Sequence, residues 1–149
     1  MTLKDWVDSG WLRNHRPSLQ EMKNLLSIVD RDLHDAGTPG ISADWRFGMA
    51  YSAALKLCTM VVHASGYRVE SARHHYLSIA ALPLIMGERA AHSAQYLEGC
   101  RRKRNVVEYD LAGVVSEIEA DGLFRFACQL REDVLAWIEE NRTRIGLVE

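Results

Sequence analysis

The residues of this sequence best suited to bind a ligand form a basic block, Arg101-Arg102-Lys103-Arg104, which is followed directly by Asn105. Four adjacent cations repel one another, so local folding does not explain them. Their natural partner is a phosphate or an acidic protein surface. Two structural alternatives remain open, because a charge run is commonly a solvated helix face and cations near a helix C-terminus complement its dipole.

The spacing within and after the block decides which residues can act together. Arg101 and Asn105 are four apart and share one face of a helix, whereas Arg104 and Tyr109 lie about 140° apart on an unbroken helix. Either the helix ends between them, as the β-branched pair at 106–107 indicates, or each serves a different place. We expect Arg101, Arg104 and Asn105 to form an anion-binding set.

Composition narrows the class of protein. The chain has 149 residues, of which 48% are hydrophobic and 26% charged, the profile of a globular protein with one core. Its formal net charge is −2, so the basic block is a local feature that fits one focused anion site rather than a general nucleic-acid coat. The N-terminus shows no apolar signal core, and the longest apolar runs, 57–62 and 80–86, are short for a bilayer. We therefore expect no membrane association.

The three cysteines indicate a reducing compartment. Cys58, Cys100 and Cys128 are odd in number, widely spaced and surrounded by apolar residues. They predict reduced core residues of a cytoplasmic protein rather than a disulfide framework or a zinc site. No recognised metal-ligand spacing joins the remaining candidates, which are His74, His75, His92 and Cys100. We expect no metal site and no cofactor.

Hydrophobic periodicity predicts an all-α fold. We expect an antiparallel bundle of about five helices in residues 17–149, with residues 1–16 as an arm packed on it, and we find no strand-like alternation. The first helix is expected to begin at a capping box formed by Ser18 and Glu21. The second, which runs to residue 66, is apolar around most of its circumference and should be the central, most buried helix.

The later helices are marked by residues that interrupt them. A third helix is expected from near Ser71 to residue 82, where Pro83 kinks or restarts it. The fourth should run from near Glu88 into the basic block, and the fifth from about residue 114 to residue 142. The basic block therefore lies at the C-terminal end of the fourth helix.

Arg104-Asn105, followed after three residues by the ring of Tyr109, resembles the motif of the HEPN (higher eukaryotes and prokaryotes nucleotide-binding) family. These are small all-helical domains marked by Arg, a polar residue, a short gap and His. Asp44-Trp-Arg-Phe47 and His74-His75 add to a resemblance that covers most of residues 18–142 and points to a bacterial stand-alone subgroup. It implies a homodimer in which two motifs face each other and bind RNA or nucleotide phosphate. Many members are metal-independent ribonucleases of toxin–antitoxin or phage-defence systems, so an antitoxin is an implied partner.

The resemblance also implies roles for single residues. Arg104 and Asn105 carry over as phosphate-contacting and orienting residues, whereas the family's His falls on Tyr109. The phosphate- or RNA-binding residues expected from the block are Arg101, Arg102, Lys103 and Arg104. Tyrosine has a pKa of about 10 against about 6.5 for histidine, so it is a poor general base at neutral pH, although it can still donate a hydrogen bond.

Binding survives this substitution more readily than catalysis, so the sequence leaves open whether the protein is a metal-independent endoribonuclease. The competing function is a non-catalytic module that binds RNA, a nucleotide or a partner protein, and a third is a helical scaffold dimer that binds a partner protein such as an antitoxin. RNA binding that depends on Arg104 separates the first two functions from the scaffold, and cleavage separates the ribonuclease from the binding module.

Four further residues are candidate accessories to the site, namely Asp44, Arg46, His74 and His75. One imidazole of the His pair could replace the missing base, but adjacent helical residues diverge by about 100°, so at most one faces any site. The alternative is a partly exposed pair at a helix start. Ser42 or Asp44 can cap the second helix, and Arg46 is expected to pair with Asp44 or to lie on the surface. Tyr51 is expected to be a core aromatic whose hydroxyl finds a partner.

Overall fold

The computed structural model describes the backbone of residues 2–109 and 113–147, and the side chains of these residues apart from 107–109. Over these residues the chain is mostly helical, with six α-helices and one small sheet, which confirms the predicted helical bundle. In chain order the elements are α1 (Leu3–Asp8), β1 (Leu12–Asn14), α2 (Leu19–Ala36), α3 (Ala43–Ala64), β2 (Tyr67–Val69), α4 (His74–Met86), a 3-10 turn (Glu88–Ala90), α5 (Ala91–Tyr109) and α6 (Glu117–Glu140).

Helix α3 is the centre of the bundle, as its apolar circumference predicted. Helices α2, α4, α5 and α6 all pack on it, and side chains such as Ala50, Leu57 and Val61 are inaccessible to solvent. By length and composition α3 is the one helix of the described residues that could cross a membrane, and 61% of its most apolar window is buried within the fold. The uninterrupted apolar runs are short, as predicted, because polar Ser52 and Lys56 separate them without ending the helix.

Helix α4 begins later than predicted and is not interrupted at Pro83, whereas Gly87 ends it as the sequence indicates. It begins at His74 rather than near Ser71, whose Oγ accepts the N–H of Arg73 at 3.1 Å in a preceding turn. It continues through Pro83, because a proline in the last turn removes only one backbone donor. It ends at Gly87, where a φ of 93° favours glycine.

Helices α5 and α6 also have boundaries that the sequence did not predict. α5 follows the 3-10 turn and continues to Tyr109, so the expected end at 106–107 is wrong. Two β-branched residues lower helix propensity by less than about 1 kcal/mol each, which a packed helix tolerates. α6 begins at Glu117 rather than near 114, because Ser116 is its N-cap.

The N-terminal arm has regular structure of its own. α1 and β1 precede the bundle, and β1 pairs antiparallel with β2 in the register Leu12↔Val69, so the expectation that the chain has no strands is wrong. Strands of three residues are too short to show alternation. Trp6 and Leu12 are buried with Val62 and Leu77 in a second apolar cluster, which packs the arm against the bundle.

Candidate functional site

The four cations of the basic block, residues 101–104, do not form one continuous surface. Arg101 pairs with Glu98 on the preceding turn of α5, and Lys103 pairs with Glu119 on α6. Arg102 is exposed, and Arg104 is partly buried. Carboxylates of the fold therefore pair with at least Arg101 and Lys103, as a structural origin for a charge run requires.

Arg104 lines a cavity of about 570 Å³. Trp45, which also lines it, is an unusually accessible indole with 70% of its surface exposed. Among the described residues the lining consists of Asp32, Ser42, Asp44, Trp45, Phe47, Gly48, Met49, Ser52 and Arg104. The cavity thus combines a cation, two carboxylates and an accessible aromatic ring, which are groups that orient a small ligand.

The guanidinium of Arg104 lies over the ring of Tyr51, with Cζ 5.5 Å from the ring centroid. Tyr51 is 1% exposed and its Oη is 3.4 Å from Nδ1 of His75, which confirms the expected core aromatic with a partner for its hydroxyl. Burial raises the pKa of Tyr51 far above its usual range, although the nearby charge of Arg104 opposes the shift. The hydroxyl is therefore neutral at physiological pH, and the ring connects Arg104 to an imidazole from α4.

Neither Asn105 of the predicted motif nor the accessory candidate His74 is among the described residues that line the cavity. His74 is exposed and packs edge-on against His75, with ring centroids 4.4 Å apart, and Asn105 is partly buried. The side chain of Tyr109 lies outside the described residues. Because α5 is continuous to Tyr109, backbone positions 104 and 109 lie about 140° apart around its axis.

Of the two alternative caps of α3, the structure selects Ser42 rather than Asp44, and the expectation that Arg46 pairs with Asp44 or lies on the surface is wrong. Ser42 caps the helix and accepts the N–H of Trp45 at 3.3 Å, whereas Oδ2 of Asp44 accepts the N–H of Gly113 at 2.7 Å. Oδ1 of Asp44 is buried and has no hydrogen-bond partner among the described residues. A buried acceptor left in that state costs about 1–3 kcal/mol, so a ligand that donates to it gains affinity.

Arg46 ties α3 to α6 instead. Its side chain is 13% exposed and donates to Glu117 at 2.9 Å, to Asp121, and to the carbonyl of Ala36 at 2.9 Å. The hydrogen bond to Asp121 is the main cause of the raised pKa of Arg46. Residues two apart on a helix lie about 200° apart around its axis, which is why Arg46 cannot face Asp44. The role of Arg46 is structural.

Asp32 is a cavity residue that the sequence did not single out. It is 7% exposed, and its carboxylate lies 3.5 Å from Nζ of Lys56 and 3.1 Å from Nη2 of Arg31. Oγ of Ser52 donates to it at 3.1 Å, so its charge is well compensated. The available signal was its spacing, because Asp32 follows buried Val29 by three residues and so shares its apolar face.

A second polar cluster lies where the N-terminal arm meets α2 and α3. Nε2 of His15 is 2.8 and 2.9 Å from the two carboxylate oxygens of Glu21, and Nδ1 of His63 is 2.5 Å from Oε1. We call these three residues the His–Glu–His cluster. The predicted capping box is therefore only half formed: Oγ of Ser18 accepts the N–H of Glu21 at 3.1 Å, but the Glu21 carboxylate bonds the imidazoles.

The surroundings of the cluster decide its charge. Burial lowers the pKa of His63 by more than its bond to Glu21 raises it. Burial also raises the pKa of Glu21, but hydrogen bonds from His15 and His63 outweigh that effect and lower it overall. The cluster therefore places one carboxylate, that of Glu21, between the imidazoles of His15 and His63.

Among the described residues the His–Glu–His cluster is the one group of three His, Cys, Asp or Glu side chains with donor atoms close enough to hold a metal ion, all within 4.8 Å of one another. In the described part of the chain, His74, His75, His92 and Cys100 do not form a possible metal-binding group. The cluster was not predicted because its members come from three separate elements.

Neither a scan against known protein families nor searches of curated proteins and of solved structures found a match to this chain. The resemblance to the HEPN family therefore stays a prediction that rests on the residues named for it. The function of the protein has to be inferred from its own geometry.

Proposed function

We propose that this protein is a HEPN-like homodimer that binds RNA or a nucleotide in the cavity beside Arg104. The observation that carries the proposal is that one cavity is lined by Arg104, by the accessible indole of Trp45 and by Asp44, whose Oδ1 has no hydrogen-bond partner among the described residues. A nucleotide has a matching group for each of them: its phosphate for the guanidinium, its base for the indole, and a base N–H or a ribose hydroxyl for the carboxylate oxygen. The volume of about 570 Å³ is typical of sites for small molecules.

Arg104 is suited to the phosphate. A guanidinium offers a planar fork of donors that matches two phosphate oxygens at once. The ring of Tyr51 beneath Arg104 restricts the orientation of that fork, so less side-chain entropy is lost on binding. Arg101 and Lys103 are not among the described residues that line the cavity, so they contribute background positive charge rather than the main contact.

Trp45 and Asp44 favour a nucleotide over inorganic phosphate. Stacking of a base on an exposed aromatic ring is worth about 1–3 kcal/mol, and Oδ1 of Asp44 can accept from an exocyclic amino group or a ribose hydroxyl. A free phosphate gains neither of these two contacts. We therefore expect AMP or short single-stranded RNA to bind more tightly than inorganic phosphate.

The test is the affinity for a short single-stranded RNA and for AMP at fixed ionic strength. Arg104→Ala should weaken binding by about 1–3 kcal/mol, the cost of a lost charge-assisted contact. Arg102→Ala removes the same charge from an exposed position two residues away and should have a much smaller effect. Equal losses in the two variants, or no binding by the wild-type protein, would place the basic block on an ordinary charged surface.

A second candidate function, metal-independent RNA cleavage, is favoured by the contact between Tyr51 and His75. In this reaction the ribose 2′-oxygen bonds to the adjacent phosphorus, its proton passes to an imidazole, and the 5′-oxygen leaves and takes a proton from solvent. Arg104 stabilises the negative charge that develops on the phosphate. His75 is the described imidazole that the structure connects to Arg104.

Cleavage is tested in excess chelator with the RNA used for binding. His75→Ala should abolish it and His74→Ala, a control one residue away, should not. Because Tyr109 occupies the family's His position, Tyr109→His should raise the rate by about 10²–10⁴-fold, with a bell-shaped pH profile. If the wild-type protein and the Tyr109→His variant both fold and bind RNA but neither cleaves it, the cleavage proposal is wrong and the protein is a binding module.

The homodimer and the cytoplasmic location belong to the same proposal. Large apolar side chains stay exposed on the single chain, with Trp45 at 70% and Ile118 at 81%, and the three cysteines are free. Light scattering at micromolar concentration should report twice the 16.9 kDa chain mass. If neither RNA nor nucleotide binds, the alternative scaffold that binds a partner protein such as an antitoxin is the function that remains.

A further inference from the structure

We propose that the His–Glu–His cluster is a Zn²⁺ site, with Nε2 of His15, a carboxylate oxygen of Glu21 and Nδ1 of His63 as ligands. The three donor atoms lie within 4.8 Å of one another. Zinc takes imidazole nitrogen and carboxylate oxygen at about 2.0–2.2 Å, so tetrahedral neighbours stand about 3.3 Å apart. The nitrogen–oxygen distances are 2.5–2.9 Å, so small side-chain rotations open the cluster enough to admit the ion.

The backbone holds the ligands in place before an ion arrives. The N–H of His15 donates to the carbonyl of Gly66 at 2.8 Å. Glu21 lies in the first turn of α2, where its own N–H is held by Ser18 at 3.1 Å, and His63 lies in the last turn of α3. Ligands that are already ordered lose little conformational entropy on binding, which favours affinity.

The donor set selects the class of ion. Two imidazoles and one carboxylate suit zinc and neighbouring transition metals, whereas Mg²⁺ and Ca²⁺ take oxygen ligands. The side chains of the cluster are 17–26% exposed, so an ion has access from solvent and water can complete its coordination as the fourth ligand.

The position of the cluster indicates what the ion does. His15 follows β1, and the other two ligands belong to α2 and α3, so one ion joins the N-terminal arm to two helices of the bundle. The described residues that line the cavity beside Arg104 include none of the three ligands. Zinc binding and nucleotide binding can therefore fail independently of each other.

The experiment titrates metal-free, untagged, full-length protein with ZnCl₂ in a calorimeter. We expect one ion per chain at micromolar affinity or tighter, a rise in Tm on zinc addition, and no heat with MgCl₂. Co²⁺ in place of zinc should give the intense visible bands of a four-coordinate ion, which the weakly absorbing aqueous ion lacks.

Matched variants locate the site. Glu21→Gln keeps the shape of the side chain but replaces a carboxylate with a poor ligand, and His15→Asn removes an imidazole. Each of these two single variants should weaken zinc binding by at least about 100-fold. His92→Ala removes an exposed imidazole from α5 and should change nothing.

A folded wild-type protein that gives no zinc heat and only the aqueous cobalt spectrum overturns the proposal. Unaltered zinc affinity in both Glu21→Gln and His15→Asn overturns it as well. If circular dichroism shows that these variants do not fold, the wild-type cobalt spectrum and the zinc-dependent change in Tm decide the question. The absence of both would make the cluster a hydrogen-bonded group only.

Discussion

The His–Glu–His cluster and the cavity beside Arg104 are both polar, but they differ in how well their groups are satisfied. In the cluster, Glu21 accepts from two imidazoles and all three side chains are largely buried. In the cavity, a buried oxygen of Asp44 has no donor among the described residues and Trp45 is 70% exposed. Hydrogen bonds within the cluster stabilise the fold even without an ion, whereas the unsatisfied oxygen of Asp44 costs free energy until a donor reaches it.

This difference predicts that variants of the two regions separate stability from binding. Changes in the cluster should lower the free energy of unfolding and leave RNA or nucleotide affinity unchanged. Changes in the cavity should do the reverse. A variant that alters both quantities together would show that the two regions are one energetic unit.

Glu21→Ala should have the largest effect. It removes the acceptor shared by His15 and His63 and leaves their N–H groups unpaired, so we expect a loss of about 2–3 kcal/mol in the free energy of unfolding. Urea denaturation in the presence of a chelator measures it without any contribution from metal. Gln20→Ala, at the exposed neighbouring position, should stay within about 0.5 kcal/mol. A similarly small loss for Glu21→Ala would mean that the cluster contributes nothing to stability.

Trp45→Ala should weaken the binding of AMP or short RNA by about 1–3 kcal/mol, because the base loses its stacking surface. Stability should hardly change, since the indole is 70% exposed. In the wild-type protein, ligand should also quench the fluorescence of this accessible tryptophan. Trp45→Phe keeps an aromatic face and should retain part of the affinity. Full affinity in Trp45→Ala would remove the base from the proposed binding mode.

Asp44→Asn should weaken AMP binding by about 1 kcal/mol, because an amide NH₂ replaces an acceptor that a ligand N–H or hydroxyl needs. The amide oxygen can still accept the N–H of Gly113, so the connection to the segment before α6 is kept. Asp8→Asn on α1, which is exposed, is the control for the change in net charge. Identical affinities of the two variants would contradict a direct contact from Asp44.

Lys103→Met should have the smallest effect and tests whether this part of the basic block is structural. The hydrogen bond from Lys103 is the main reason why the pKa of Glu119 is lowered, so NMR titration of the variant should show that pKa rising towards its ordinary value. A lowered carboxyl pKa contributes stability that is present above the unfolded pKa and is lost as pH falls through the folded pKa. The variant should therefore lose less stability in acid than the wild type, while binding AMP almost normally.

Two Ser-x-x-Glu segments show how far local sequence predicts structure. Ser116 and Glu119 close a complete capping box at the start of α6, with bonds of 3.0 and 3.1 Å. The same pattern at Ser18 and Glu21 marks the start of α2 correctly, yet its carboxylate bonds two imidazoles. The pattern determines where a helix begins, but His63, far along the chain, determines where the glutamate side chain goes.

The same limit applies to the candidate site. The buried nature of α3 and of Tyr51 was predictable from periodicity, but the identity of the partner of the Tyr51 hydroxyl was not. The pairing of Lys103 was not predictable either, because Glu119 reaches Lys103 only through the packing of α6. Arg46 and Asp44 were misassigned for the same reason, since their partners lie on or near that helix.

The pairing of β1 with β2 has a consequence for the order in which the chain folds. It joins residues 12–14 to residues 67–69, so α2 and α3 lie inside a chain loop that three residue pairs close. Closing a long loop costs entropy before its contacts repay it, so we expect α2 and α3 to associate first and the arm to dock last. In native-state hydrogen exchange, the amides of α1 and β1 should then open together at a lower free energy than those of α3. Proteases should find their first cleavage sites in the same segment.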